Sequence, residues 1–259
     1  MPFSDVDRSP RSDLLVDYLD RAAVRTAPLR ALFRELLGAG PGDVVLDLGC
    51  GAGHDLVDLA ASGAVAVGMD SSWVMVGQSR DRAAATGAKA VPVLGAGSAL
   101  PFAPGAFHGC LASRVLQHVG DPETVIAEVR RVLRPGARLV VFDADWGSMT
   151  VDSDDDEAVA AFTASVAGAV PQRRIGLTLR RLLVQAGFAR VDCGVSVTCC
   201  TSVEDLRRLA SPEAALARAV ETGLLTRDHA HRWLAAMTAR SEEGTFWATL
   251  SRIVAVAQA

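Results

Sequence analysis

A glycine-rich loop is the strongest sign of chemistry in the sequence. The apolar segment Val44–Leu48 contains one acid, Asp47, and runs directly into three glycines spaced by two, namely Gly49, Gly51 and Gly53. Glycine lets the backbone turn sharply, and because it has no Cβ a ligand can lie against it. The next apolar segment, Ala64–Met69, ends in Asp70, an acid that can accept two hydrogen bonds from a ribose diol. The pattern therefore predicts a nucleoside-binding site.

The segments around this loop predict strands that alternate with helices. Strand-like apolar stretches recur at Val44–Leu48, Ala64–Met69, Ala90–Leu94, Phe107–Ala112, Leu139–Phe142, Val191–Thr198 and Ala248–Ala257. Strands separated by helices favour a parallel sheet covered on both faces. Ligands of such sheets bind beyond the carboxyl ends of the strands. We predict an α/β fold with a seven-stranded, mostly parallel sheet and helices on both faces.

Helix signals divide the chain into three predicted parts. Asp13–Leu37 carries apolar residues at helical spacing and predicts a helical N-terminal cap over residues 1–40. Residues 41–145 form the predicted core, in which Asp121 and Pro122 begin a helix that Pro135-Gly136 ends. Residues 146–259 hold a predicted lid segment, a helix over Leu177–Ala186, the remaining strands and a helical insertion. That insertion spans 203–240, before the last strand, with breaks at Ser211-Pro212 and Gly223.

Composition excludes several classes of protein. The chain has 259 residues, and its 26 basic and 30 acidic residues give a net charge of −4, without a basic footprint for nucleic acid. No apolar run reaches the length of a membrane span, and Met1–Ser12 has no signal-peptide core. Five cysteines without zinc-binding spacing predict reduced thiols and no metal site. We expect a cytoplasmic monomer or homodimer that acts on a small-molecule substrate, without a nucleic-acid or membrane partner.

Further motifs, in the right order, resemble the class I S-adenosylmethionine-dependent methyltransferases. The resemblance covers roughly Leu32 to Val191 and is greatest to the small-molecule branch, similar to the ubiquinone/menaquinone and antibiotic methyltransferases. The matching stretches are Asp70 to Met75, Ala99 to Phe102, Val115 to His118, Arg131 to Gly136 and Ala186 to Phe188. This resemblance implies a Rossmann-like sheet and S-adenosyl-L-methionine as the cofactor. A dinucleotide fingerprint would instead place a glycine at His54.

The resemblance implies roles for individual residues. Asp47 and the three glycines would hold the methionine part of the cofactor, and Asp70 would bind the ribose hydroxyls. The remaining cofactor positions are Ser71 and Met75 lining the adenine, Gly97 and Ser98 at the adenine edge, and Ser113 near the amino-acid moiety. The sequence departs from the family pattern after the third strand, where Ala96 stands in place of the usual acid.

Catalytic and substrate-binding residues are predicted beyond the fourth and fifth strands. His118 would act as the base with Asp143 as its helper, in line with similar natural-product methyltransferases. The alternative for both is structural, because such a histidine can tie a loop to a strand and such an acid often caps backbone amides. Tyr18, Trp146 and Phe162 are the predicted substrate contacts, and ordinary packing is the alternative for each.

The acidic run Asp152–Glu157 has the composition of a metal site, but a solvated helix start is the better interpretation. The predicted activity is O-methylation of a small molecule in bacterial secondary metabolism. N- or C-methylation, a different reaction such as a cyclisation on the same fold, and a non-catalytic binding role are the alternatives.

Overall fold

The computed structural model describes residues 26–259 together with Asp7, Val16, Leu19, Asp20 and Ala23. The helices of the described part are α1 Ala27–Leu37, α2 His54–Ala60, α3 Trp73–Thr86, α4 Pro122–Val132, α5 Asp156–Gly168, α6 Ile175–Gln185, α7 Val203–Ala210, α8 Pro212–Glu221 and α9 Arg227–Glu242. The strands are β1 Val44–Leu48, β2 Val65–Asp70, β3 Ala90–Leu94, β4 Phe107–Ser113, β5 Leu133–Ala144, β6 Thr150–Val151, β7 Ala189–Cys200 and β8 Ala248–Gln258. Most of the predicted cap, Tyr18 included, lies outside the described residues.

The chain divides into two compact units. The first contains Met1–Asp143, Thr178–Gly194 and Val254–Ala259, and the second contains Ala144–Leu177 and Val195–Ile253. The predicted boundary after residue 145 lies near the first of these divisions. The predicted third part, 146–259, was expected to hold the remaining core strands, and within it Thr178–Gly194 and Val254–Ala259 belong to the first unit.

Parallel strands position the ligand loop in the first unit. Strands β3, β2, β1, β4 and β5 lie side by side in that order, and every neighbouring pair among them is parallel. Four of the five residues of β1 are buried, as expected for a strand covered on both faces. On one face Phe33 of α1 packs on Phe142 of β5, with ring centroids 5.1 Å apart. This core fixes the carboxyl ends of β1, β2 and β4.

Helix ends in this unit follow the sequence signals. Asp121 caps α4 by accepting a hydrogen bond from the backbone N–H of Thr124 at 3.1 Å, and Pro122 occupies the first turn. The Ser72 hydroxyl caps α3 by accepting from the N–H of Met75 at 3.2 Å, and α3 ends at left-handed Gly87. These caps fix where each loop leaves its strand.

The second unit is built mainly from helices α5, α7, α8 and α9 around a separate apolar core. The predicted breaks in its helical insertion are confirmed, because α7 ends before Pro212 and α8 ends before Gly223. Thr150–Val151 forms a two-residue strand antiparallel to β8.

The described sheet has the strand order β3-β2-β1-β4-β5-β8-β6, with β7 also paired to β8. The predicted α/β class and Rossmann-like sheet are therefore confirmed. The strand that the prediction lacked is β6, which is too short to give a recognisable alternating pattern.

Candidate cofactor site and active site

The glycine loop adopts a conformation that glycine makes accessible. Gly49, Gly51 and Gly53 have φ of 66°, 50° and 85°, in the left-handed region. A Cβ on Gly49 would lie 2.5 Å from the Cγ2 of Val115, so this glycine is required for packing. Around Gly51 the nearest atom to such a Cβ, among the residues that the structure describes, would be a methyl group of Leu19, 3.9 Å away. Within the described part of the chain the loop therefore has an open side at Gly51, where a ligand can approach the backbone.

Asp47 supplies a buried carboxyl group at the start of this loop. Its side chain is 1% exposed, and Oδ2 has no hydrogen-bond partner among the residues that the structure describes. Burial raises the pKa of Asp47 well above its usual value, and the nearby carboxylates of Asp55 and Asp70 raise it further. A buried acceptor without a partner is unfavourable unless a donor, best a cationic one, reaches it. The ammonium group of S-adenosylmethionine fits this requirement.

Asp70 links the two loops that the resemblance assigns to the cofactor. Its Oδ2 accepts a hydrogen bond from the N–H of Gly51 at 2.9 Å, and its Oδ1 accepts from the N–H of Ser72 at 2.9 Å. Burial raises its pKa, and the hydrogen bonds from Ser72 and Gly51 oppose that rise. Each carboxylate oxygen retains acceptor capacity. The arrangement fits a ribose diol, although Asp70 is also needed to shape the loop.

The positions predicted to surround the adenine have different surroundings. Met75 is 2% exposed and packs with Ala52 and Leu19 in a small apolar cluster. Ser71 and Ser98 are exposed, whereas Gly97 is half-buried in the loop after β3. Their roles toward the adenine stay predictions.

The loop after β4 carries the predicted base. Leu116 donates its N–H to Oδ2 of Asp143 at 3.0 Å, and Asp143 is fully buried. The N–H of His118 donates to the carbonyl oxygen of Val115 at 2.9 Å. Asp143 therefore holds the backbone of the loop that bears His118, which is the structural alternative for this acid.

His118 is neutral at physiological pH. Its ring is half-buried, and its Nε2 lies 2.9 Å from the side-chain amide nitrogen of Gln117. Burial lowers the pKa of His118 to about 4, with a further contribution from the positive charge of Arg114. A neutral imidazole can accept a proton, and the lowered pKa makes this ring a weaker base than an ordinary histidine.

Two of the predicted substrate contacts, Trp146 and Phe162, lie among the described residues, and both belong to the second unit. Trp146 is half-buried and donates its backbone N–H to the carbonyl oxygen of Arg173 at 2.8 Å. Phe162 is fully buried, with its ring centroid 5.2 Å from that of Trp233. We therefore correct the expectation for Phe162, because its side chain packs within the core of this unit. The substrate role of Trp146 stays a prediction.

The acidic run Asp152–Glu157 caps a helix and forms ion pairs, in line with the predicted solvated helix start. Asp155 caps α5 by accepting from the N–H of Ala158 at 3.0 Å, and its Oδ2 lies 2.7 Å from Nε2 of His229. Arg240 pairs with the carboxylates of Asp152 and Asp154. Within the described residues no group of three or more His, Cys, Asp and Glu side chains is arranged to hold a metal ion.

An ion-pair network that no sequence motif predicts lies beside the glycine loop. Oδ1 of Asp20 lies 2.6 Å from Nη2 of Arg82 and 2.9 Å from Nε2 of His54. Arg82 also donates through Nε to the carbonyl oxygen of Ala52 at 2.8 Å. These residues match no motif, and nothing in the sequence shows that a charge near the N-terminus pairs with α3.

None of the helices that the structure describes is long and apolar enough to cross a membrane.

The chain resembles known proteins in its sequence. A family model of a methyltransferase domain matches residues 46–141. An uncharacterized 37.1 kDa protein in a transposon of Streptomyces fradiae is 39% identical over 252 residues, which cover 94% of this chain and 71% of that protein. A demethylmenaquinone methyltransferase of a Mycobacterium species is 44% identical over 106 residues, 40% of this chain. The chain spans less than half the length of that enzyme, 43%.

Solved structures share the fold. The YcgJ protein of Bacillus subtilis superposes with a TM-score of 0.64 at 16% identity, over 88% of this chain and 96% of that one. The [4+2]-cyclase SpnF superposes with a TM-score of 0.55 at 20% identity, over 89% of this chain and 79% of that one.

Proposed function

The chain belongs to the class I S-adenosylmethionine-dependent methyltransferases, and we propose that it transfers the methyl group to a small organic acceptor. The acceptor atom that we propose is a hydroxyl oxygen. The observation that carries cofactor use is Asp47, a buried carboxyl whose Oδ2 lacks a partner among the described residues, next to the open side of Gly51. The similarity to a demethylmenaquinone methyltransferase supports a small-molecule acceptor. We place the activity in bacterial secondary metabolism and in the cytoplasm.

The chain's own residues have three tasks in this proposal. S-adenosylmethionine, when bound, supplies an electrophilic methyl group with a neutral leaving group, so positioning of the acceptor contributes most. Asp47 and the glycine loop would hold the amino-acid end of the cofactor, and Asp70 would accept hydrogen bonds from the ribose hydroxyls. His118, neutral and carried by the loop after β4, would take the proton of the acceptor hydroxyl.

For Asp143 we propose the structural alternative to the predicted helper role. Its Oδ2 is bound to the N–H of Leu116 at 3.0 Å, so it stabilises the backbone that positions His118. We therefore propose Asp143 as a positioning residue. A substitution there should alter the rate through the placement of His118.

A second candidate function is a reaction other than methyl transfer on the same cofactor-binding fold. The structural similarity to a [4+2]-cyclase, with a TM-score of 0.55, is the observation that favours it. N- and C-methylation of a small molecule are further alternatives to O-methylation.

Calorimetry with S-adenosylhomocysteine followed by a product assay tests the proposal. The wild-type protein should bind S-adenosylhomocysteine, and incubation with S-adenosylmethionine and a panel of phenols, amines and activated carbon acids should release S-adenosylhomocysteine with the phenols. Binding without release on any acceptor would favour the second candidate. Absence of binding would refute the cofactor assignment and the proposed function with it.

A further inference from the structure

Arg114 has an unfavourable backbone conformation at the edge of the candidate site. It follows the last residue of β4 and has a φ of 61°, in the left-handed region. Residues with a Cβ avoid this region because the Cβ approaches the following carbonyl oxygen. Such conformations persist only where the surrounding structure enforces them, and they concentrate at functional sites.

Hydrogen bonds and packing on either side enforce this conformation. The N–H of Arg114 donates to the carbonyl oxygen of Phe142 at 2.6 Å. The next side chain, Val115, lies against Gly49, and Leu116 is bound to Asp143. The backbone is thus fixed on both sides, and the direction in which the Cα–Cβ bond of Arg114 leaves it is set by the fold.

This position lies beside the glycine loop. Strands β1 and β4 pair in parallel with Leu48 opposite Ala112, so the residues that follow the two strands are neighbours. The positive charge of Arg114 opposes the rise that burial causes in the pKa of Asp55, in the first turn of α2. It also lowers the pKa of His118. The guanidinium therefore acts electrostatically on both the helix after the loop and the predicted base.

Arg114 is half-buried and forms no hydrogen bond or ion pair through its side chain within the described part of the chain. Two other arginines at this loop are already paired: Arg30 with Asp58 at 2.8 Å and Arg82 with Asp20 at 2.6 Å. Its charge is attracted to Asp55, but its guanidinium N–H groups have no acceptor among the described residues. Of these three arginines, Arg114 is thus the one whose donors are available to a ligand.

We propose that Arg114 binds the carboxylate at the amino-acid end of the cofactor. The inference rests on the proposed function and complements the assignment of Asp47 to the ammonium group. The amino-acid end is a zwitterion, and among the described residues the loop presents one acid without a hydrogen-bond partner at Oδ2 and one guanidinium without a hydrogen-bond acceptor. A guanidinium is suited to a carboxylate because it can donate two parallel hydrogen bonds.

The test compares two ligands on matched variants by calorimetry. The ligands are S-adenosylhomocysteine and its decarboxylated form, which differ only in the carboxylate. The variants are Arg114→Gln, Arg114→Lys and Arg114→Asn, the last because asparagine tolerates the left-handed region. Arg190→Gln is the control, since Arg190 belongs to the same unit and is also left-handed, with a φ of 46°, but is exposed.

Arg114→Gln and Arg114→Asn should weaken binding of S-adenosylhomocysteine by about tenfold or more, and Arg114→Lys by less. Binding of the decarboxylated ligand should be the same in the wild type and in these variants, and Arg190→Gln should change neither affinity. Unchanged affinity for S-adenosylhomocysteine in the two neutral variants, or an equal loss for both ligands, would overturn the inference. If the wild type itself does not bind S-adenosylhomocysteine, the proposed function fails instead.

Discussion

Replacing Asp47 with asparagine should have two effects that test the cofactor site. It should raise the stability of the unliganded protein, and it should lower the affinity for the ligand. The substitution keeps the shape of the side chain and removes its ionisable group. Because the carboxyl is 1% exposed and Oδ2 has no partner within the described chain, the unliganded protein should become more stable. Because the same oxygen is proposed to receive the ligand ammonium, affinity for S-adenosylhomocysteine should fall.

The size of the binding loss follows from the kind of hydrogen bond. A bond to a charged acceptor contributes about 1.5–3 kcal/mol and a neutral one about 0.5–1.5 kcal/mol. The amide oxygen of asparagine can still accept the weaker bond. The expected loss is therefore about 1–1.5 kcal/mol, or about 5- to 13-fold in Kd at about 1.36 kcal/mol per factor of ten.

The gain in stability of Asp47→Asn over the wild type should increase with pH. The pKa of Asp47 is raised in the folded state above the value of 3.8. Its contribution to stability is therefore fully present below pH 3.8 and is lost as the pH rises through the folded-state pKa. Asp47→Asn lacks this dependence, so its advantage over the wild type should grow as the pH increases from acid toward neutral.

Chemical denaturation of the ligand-free proteins at several pH values, together with calorimetry on S-adenosylhomocysteine, measures both effects. Asp81→Asn is the control, because Asp81 is exposed on α3 in the same unit and undergoes the same chemical change. The wild type should also release protons on binding where folded Asp47 is still protonated. An Asp47→Asn protein that is less stable at neutral pH, or that binds the ligand as tightly as the wild type, would contradict the assignment of Asp47 to the ligand ammonium.

Four other outcomes are expected. Asp70→Asn should weaken both adenosine and S-adenosylhomocysteine about tenfold or more, measured by calorimetry. Gly51→Ala and Gly87→Ala should each lower stability by about 1–2 kcal/mol through their left-handed φ of 50° and 65°, but calorimetry should show that only Gly51→Ala weakens the ligand. His118→Gln should slow turnover about a hundredfold without changing ligand affinity, and between pH 6 and 8 the wild-type rate should show no titration of His118, whose pKa is about 4. Phe162→Ala should lower the free energy of unfolding by about 3–5 kcal/mol and leave the affinity of the folded protein unchanged, which denaturation and calorimetry can check.

Local rules in the sequence were sufficient for the elements that position the site. The cap at Asp121 and the break at Pro212 are short-range effects of side chain and backbone, so the sequence specifies them directly. The strand Ala90–Leu94 was predicted with its observed bounds. The left-handed glycines of the loop follow from their spacing after an apolar strand, since only a sharp turn there leaves room for a ligand.

Properties that depend on distant partners could not be predicted in this way. An apolar residue at helical spacing has the same pattern whether it lines a substrate site or fills a core, and Phe162 proved to fill a core. The hydrogen bond from Leu116 to Asp143 joins the ends of two strands, so it depends on their pairing. The left-handed backbone of Arg114 has the same origin, because a carbonyl oxygen of β5 fixes it.

The costly features of the first unit are concentrated where the ligand is expected. A buried carboxyl oxygen without a partner among the described residues, a left-handed arginine and three left-handed glycines all lie at the carboxyl ends of β1 and β4. The buried carboxyl and the left-handed arginine lower the stability of the empty protein, and a zwitterionic ligand would supply a favourable interaction to both. A ligand at a hundred times its Kd adds about 2.7 kcal/mol to the free energy of unfolding, which is comparable to the cost of one such buried group. Selection for binding therefore explains these features better than selection for stability, which would have removed the buried carboxyl first.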